Sequence, residues 1–195
     1  MTPDFLLQAY RRGFFPMAVK PGHIEWFSPS SRGILFPNEF HIPHGLRRCL
    51  KAQKWRATVD TAFPEVILAC SKREETWIDD IIFHTYCHLF SSGHAHSLEI
   101  WLDSELAGGL YGVAVGGVFF GESMFHKRSN GSKVALKVLV DLLKAGGFLL
   151  LDTQWTTPHL EQFGIRAVPR AVYLSLLKNA LNVSAQFPQK GEIPV

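Results

Sequence analysis

Two short strings hold residue types suited to moving protons. A β-strand sends alternate side chains to the same face, so in LLLDTQ the spacing brings Asp152 and Gln154 out together where apolar chain turns polar. Active sites of α/β proteins sit at such strand ends. In GESMF the same rule puts Glu122 and Met124 on one face, with Gly121 allowing another backbone or a ligand to come close. A carboxylate buried in apolar surroundings costs several kcal/mol unless it is paired or hydrogen-bonded. A salt bridge or a capping bond is the simpler account of either acid taken alone.

These strings need elements to hold them. Phe5, Leu6, Ala9 and Tyr10 recur at helical spacing and Gly13 can stop that helix, after which FFPM and WFSPSSRG read as loops and short strands. HGLRRCLKAQ reads as a basic helix, TAFPEVILACSK as a second and DDIIFHTYCHLFSSG as a third, with Ile81, Ile82, Thr85, Tyr86, Leu89 and Phe90 on one face and Gly93 as its stop. HAHSLEIWL, ELAGGLYGVAV and VFFGESMF, separated by Asp103-Ser104 and Gly116-Gly117, form an antiparallel meander. A helix from about Ser132 to Ala145 precedes the buried strand FLLLD; HLEQFG is a turn or two of helix and PRAVYLSLLKNAL a last helix with Pro169 in its first turn. Composition shifts near residue 43, so the expected organisation is a small N-terminal layer, 1–42, and a larger α/β (α+β) body, 43–195.

Composition excludes several classes. The chain has 195 residues, 47% of them hydrophobic and 19% charged, which fits a compact enzyme and rules out disorder or a coiled coil. Twenty Lys and Arg against seventeen Asp and Glu leave +3, so attraction to nucleic acid must come from local patches. No apolar run approaches the roughly 20 residues that cross a bilayer, and MTPDFLLQAYRRG lacks a signal-peptide cleavage pattern, so a cytoplasmic protein without membrane partners is expected. Cys49, Cys70 and Cys87 never fall in CxxC spacing and are expected as buried, reduced thiols. His84 with His88 and His94 with His96 could each share a face, but no carboxylate accompanies them at metalloprotease spacing, so structural histidines are expected and no metal.

The strings GFFPM, WFSPSSRG, ETWI, GHAHSLEIW, LAGGLYGVAVGGVFFGESMF, SKVAL and LDTQ, followed by HLEQFG, resemble the leucyl/phenylalanyl-tRNA–protein transferase family in content and order, from about Leu6 to Leu177. The resemblance implies an N-acetyltransferase-like (GNAT-like) C-terminal domain and an enzyme that moves leucine or phenylalanine, with methionine as a third candidate, from its tRNA onto proteins beginning with arginine or lysine. Such products are marked for degradation through the N-degron pathway. No cofactor is implied, and a monomer is expected.

Residue by residue, the resemblance makes Asp152 and Gln154 the catalytic centre, with Glu122 in the same pocket. Trp77 becomes the surface on which the tRNA's terminal adenosine stacks, with Tyr86 nearby and Met17 and Phe27 as a second surface. Leu110, Phe119, Met124, Leu136, Leu143 and Leu151 are implied to line the pocket for the transferred side chain. Two basic clusters are candidates for tRNA phosphates: Lys127, Arg128 and Lys133 beside GESMF, and Arg47, Arg48, Lys51 and Lys54 on a helix face; solvated surface is the commoner fate of either.

The chain departs from family habit at Thr153, usually Cys; at His126, usually Ser; and at Met17, often Trp. It begins near the family's AYxxGxFP helix, from which a more open adenosine pocket is expected. A coenzyme A dependent N-acyltransferase is the rival enzyme, since RSNGSK faintly matches a pyrophosphate-binding loop, but Lys133 stands where that loop wants Gly or Ala. A catalytically silent tRNA-binding or N-terminus-binding protein would not need Asp152, Gln154 and Glu122 together.

Overall fold

The computed structural model describes residues 1–72 and 75–195. The chain opens with α1 (Pro3–Arg11), capped by Thr2, whose side chain accepts the Phe5 N–H, and turns at Gly13, φ +81°. Strands β1 (Phe15–Lys20) and β2 (His23–Phe27) pair into a small antiparallel sheet of their own. There follow β3 (Ser31–Leu35), α2 (His44–Ala52), β4 (Arg56–Val59), α3 (Phe63–Ser71) and α4 (Asp80–Ser91). The meander is β5 (Ala95–Leu102), β6 (Glu105–Val115) and β7 (Val118–His126). Next come α5 (Gly131–Ala145), β8 (Leu150–Gln154), the short α6 (Pro158–Glu161), β9 (Arg166–Pro169), α7 (Arg170–Ala180) and β10 (Gly191–Ile193).

The expected hairpin turn is present between β5 and β6, where Asp103 and Ser104 have φ +51° and +64°, the pair of positive angles that matches the twist of an antiparallel ribbon. Among the described residues the large sheet has eight strands in the order β10-β4-β5-β6-β7-β8-β3-β9. Every pairing is antiparallel except β7 with β8, which α5 connects as a crossover. The fold is therefore mixed α/β. Residues of α1, α3, α4 and α7 build the core on one face of the sheet, and those of α2 and α5 the core on the other. The segment Ser31–Leu35, which precedes residue 43, is a member of this sheet between β8 and β9.

Two backbone irregularities open the sheet. In β7, Gly121 lies opposite Gly112 and Ser123 opposite Tyr111, so Glu122 is the extra residue of a β-bulge. Alternation fails there: Met124 faces the α5 side with its cross-strand neighbour Leu110, while the Glu122 carboxyl turns to the helices of the other face. The expectation of one shared strand face for Glu122 and Met124 is thus corrected by a single inserted residue.

The second irregularity ends β8. Trp155 N–H donates to Thr153 O at 2.7 Å across Gln154, whose φ is +62°. This is a γ-turn centred on a residue with a side chain, a conformation that costs energy and persists only where its surroundings hold it. Gly33 in β3 makes room for it: a Cβ there would sit 2.4 Å from Trp155 O. Because β7 pairs with β8 only over Val118–Phe120, the two strands part beyond Asp152 and leave a hollow between them.

Candidate active site

Glu122 is 7% exposed and forms the floor of that hollow. Its Oε1 accepts from the Tyr10 hydroxyl at 2.6 Å and from Gln154 Nε2 at 3.1 Å, and its Oε2 accepts from the Tyr86 hydroxyl at 2.9 Å. The two tyrosine hydroxyls also bond to each other. None of these direct donors carries a charge. Burial therefore dominates and pushes the Glu122 carboxyl up to about 7, with the hydroxyl bonds from Tyr10 and Tyr86 pulling the other way. Burial and the neighbouring Glu122 likewise hold both phenols well above their ordinary range.

Asp152 is fully buried and lies behind the floor, on the side of α1 and α7. Arg32 grips it with two nitrogens, Nε to Oδ1 at 2.9 Å and an Nη to Oδ2 at 2.8 Å, and the Tyr173 hydroxyl donates to Oδ2 at 2.6 Å. The Arg32 guanidinium is itself 1% exposed and packed between the rings of Phe15 and Tyr173, 4.5 and 4.6 Å from their centroids. The remaining bond of Asp152 Oδ1 is to the backbone N–H of Gln154, 2.9 Å away, so the carboxylate holds the strained turn in place. Asp152 and Gln154 do not emerge together as the alternation implies. Gln154 and Thr153 line the hollow, and Asp152 does not.

The hollow measures about 650 Å³ and has an apolar wall of Leu110, Met124, Leu136, Leu139, Leu151 and Leu160. Four of these are the expected pocket residues. Phe119 and Leu143 are fully buried behind the wall, where the Phe119 ring stacks on Phe187, so they do not line it. Trp77, partly exposed, stands in the lining, and its carbonyl accepts the Ala18 N–H from β1. Tyr86 offers no face to a base: it is fully buried, set edge-on to Tyr111, and spends its hydroxyl on Glu122. Met17 and Phe27 are half-buried against the core and also lie outside the lining, Phe27 being engaged by Phe15 and Trp155.

Of the basic residues, Lys133 lines the hollow together with His126 and His159. Lys127 and Arg128 do not, and Arg128 pairs with Glu105 at the surface, 2.8 Å away. Arg47, Arg48, Lys51 and Lys54 are exposed on or just beyond α2, which packs against α5. The histidines are differently employed: His96 bonds Asp60 at 2.8 Å and stacks on Phe187, His94 meets Ser92 O, and His84 and His88 are exposed. Among the described residues no three His, Cys, Asp or Glu converge as metal ligands, and no helix is long and apolar enough to cross a membrane. Arg32, Tyr10 and Tyr173, which hold the two acids, escaped sequence reasoning. The available signal was a charged residue inside the strand SRGIL, which can be buried only against an acid.

A titratable carboxyl and an amide floor an apolar cavity where parallel strands part, an arrangement suited to a group-transfer enzyme of the α/β class. Comparison with known proteins makes the class specific. The family model of leucyl/phenylalanyl-tRNA protein transferase matches residues 34–178, and that of the N-terminal domain of the same transferase matches residues 1–30. Proteins named leucyl/phenylalanyl-tRNA–protein transferase from Salinibacter ruber and Akkermansia muciniphila are each 50% identical to this chain, over 94% and 93% of it and over 82% and 96% of their own lengths. A solved structure, L-PGS from Bacillus licheniformis, is similar over 92% of this chain and 70% of that one, with 12% identity and a TM-score of 0.47. The chain belongs to the leucyl/phenylalanyl-tRNA protein transferase family and is an aminoacyltransferase, transferring an amino acid from aminoacyl-tRNA to protein.

Proposed function

We propose that the hollow takes a leucyl, phenylalanyl or methionyl side chain from aminoacyl-tRNA, and that the acceptor is the α-amino group of a protein beginning with arginine or lysine. The product is a protein marked for degradation through the N-degron pathway. One observation carries the reading: the hydrogen bond between Gln154 and Glu122 at the floor of an apolar cavity. The amino acid arrives already activated as an ester, so catalysis consists of holding the amine against the carbonyl and moving one proton. With its Nε2 spent on Glu122, Gln154 keeps its carbonyl oxygen for the N–H of the incoming amine. As the C–N bond forms and the C–O bond of the ester breaks, the amine proton passes through Glu122 to the departing ribose oxygen. A free α-amino group has a pKa of about 8, and a carboxyl at about 7 is well matched to take its proton and return it.

Asp152 acts through Gln154 and does not touch substrate. Its place between Arg32 and the Gln154 N–H supports a positioning role. Selection follows from shape: burying a leucyl or benzyl group is worth about 1.5–3 kcal/mol, small side chains forfeit that area, and Met124 adapts its unbranched thioether to either large shape. Trp77 is the platform for the terminal adenosine. Lys127, Arg128 and Lys133 on one side, with Arg47, Arg48, Lys51 and Lys54 on α2, meet tRNA phosphates.

The crossover β7–α5–β8 with its parting strands supports the N-acetyltransferase-like reading of a body that takes in β3 as well as residues 43–195, with the chain before β3 as the N-terminal layer. A monomer acting in the cytoplasm completes the proposal. Purified protein mixed with Phe-tRNA and an Arg-initiated peptide should yield the Phe-extended peptide without ATP, coenzyme A or added metal. Transfer from acyl-coenzyme A alone would overturn the reading.

A further inference from the structure

The first turn of α5 opens onto the rim of the cavity without a cap. Asn130 occupies the N-cap position with φ +69° and no side-chain bond to the turn, and the first turn contains no acid. Gly131 N–H donates to Arg128 O and Val134 N–H to Asn130 O, while the N–H groups of Ser132 and Lys133 between them have no partner among the described residues. A helix of 15 residues thus ends in two free donors and the positive pole of its dipole.

A second observation points to a ligand there. The Ser132 side chain is buried, with 6% of the residue exposed, and lines the cavity, yet its hydroxyl has no hydrogen-bond partner among the described residues. The hydroxyl is not enclosed by protein and is open to a group that enters the cavity. Around it the charge is of one sign. Lys133 lines the same rim without an ion pair among the described residues, beside His126 and His159. Burial, with Lys133 and His126 close by, lowers the pKa of His159. The acid in the described lining is Glu122, at the floor.

We infer that Ser132, Lys133 and the free N–H groups of α5 form a subsite for a single phosphodiester, the one on the 5′ oxygen of the donor's terminal nucleoside. The inference rests on the reading of the donor as aminoacyl-tRNA. An amino acid esterified to a ribose carries its nearest phosphate on that same sugar, so a donor with its ester at the floor brings this phosphate to the rim. Hydroxyl and backbone N–H donors on a short turn suit one tetrahedral anion, and side chains at Ser132 and Lys133 occupy the space where a glycine-rich loop would receive a pyrophosphate. The subsite reads no base. It serves every tRNA alike and orients the sugar so that the ester meets Gln154.

Calorimetry with two stable donor analogues tests this apart from turnover. One carries phenylalanine in amide linkage on the 3′ position of adenosine; the other carries it on cytidylyl-(3′→5′)-adenosine, which adds the phosphodiester. The dinucleotide should bind about tenfold tighter or more, the range for charge-assisted hydrogen bonds. That ratio should fall toward one in Ser132→Ala combined with Lys133→Ala, and in the parent protein when a neutral methylphosphonate replaces the phosphodiester. A ratio unchanged by both substitutions, or by the methylphosphonate, would overturn the subsite. Coenzyme A binding that depends on Ser132 and Lys133 while the dinucleotide ignores them would also overturn it, in favour of a pyrophosphate. If neither analogue binds, the donor reading itself fails and the subsite with it, a result distinct from binding of both with equal affinity.

Discussion

Glu122 and Asp152 stand on adjoining strands, Asp152 at the last position of β8 paired with β7 and Glu122 two residues beyond its β7 partner Phe120, and each is a carboxyl removed from water. Their surroundings are opposite. Asp152 has a guanidinium locked across it, a tyrosine hydroxyl, a backbone N–H and no opening to the cavity. Glu122 is bonded by two tyrosine hydroxyls and an amide, without a direct cation among the described residues, and faces the cavity. The pair with full charge compensation is built for rigidity, and the partly compensated acid, raised to about 7, is the one suited to exchange a proton. On the proposed reading, positioning and proton transfer are divided between two carboxyls that the sequence pattern alone makes look equivalent.

Substitutions that treat the two acids differently sharpen this division. Arg32→Ala should have the largest effect, because removing one member of a buried pair leaves the other charge stranded: about 3–5 kcal/mol of stability, read from the denaturant midpoint. A midpoint unmoved by that change would mean the pair is not what holds Asp152. Gln154→Ala should lower kcat by about 10²-fold, as loss of one preorganised polar contact in an active site does, with the midpoint retained; an unchanged kcat would remove the amide from the chemistry. Trp77→Ala should cost about 1–3 kcal/mol of donor affinity, measured by titration with the nucleoside analogue, and an unaltered affinity would return Trp77 to packing. The smallest effect belongs to the exposed counterpart of the buried pair: Arg128→Ala should change the denaturant midpoint by no more than about 1 kcal/mol in stability.

Much of the architecture was legible in the sequence. The helices α1 to α5 and α7, the meander β5 to β7, the Asp103-Ser104 turn and the buried strand β8 follow from period, capping and turn chemistry. Strands β4, β9 and β10 were not, since each has three or four residues and takes its identity from a neighbour in the sheet. Strand alternation also carried the site reading, and it failed at the two places where the backbone departs from it. A bulge at Glu122 and a γ-turn at Gln154 are set by long-range packing, including Gly33 beneath the turn, and leave no local mark in GESMF or LDTQ. For the same reason Asp152, which alternation sends out with Gln154, is buried behind the cavity, while Thr153 between them lines it. Tyr86 sat on the apolar face of its helix, as α4's burial bears out, but its partner Glu122 lies 36 positions along the chain, beyond any spacing rule.

The raised Glu122 carboxyl also acts on the fold. Its folded value of about 7 lies above the ordinary 4.5, so the native state holds the proton more firmly between the two. The stability this group contributes is complete below about 4.5 and is lost as pH rises through about 7. On the proposed reading, function and stability thus pull in opposite directions on one side chain, whereas at Asp152 the ion pair serves the fold and the turn together.

The pH dependence of kcat, measured with saturating Phe-tRNA and Arg-initiated peptide in the parent protein and in Glu122→Gln, goes to the heart of this division. In the parent, kcat should rise through a limb centred near 7 as Glu122 loses its proton. Glu122→Gln should be slower throughout and lack that limb. A variant that keeps the same limb at the same pH would place the moving proton on another group.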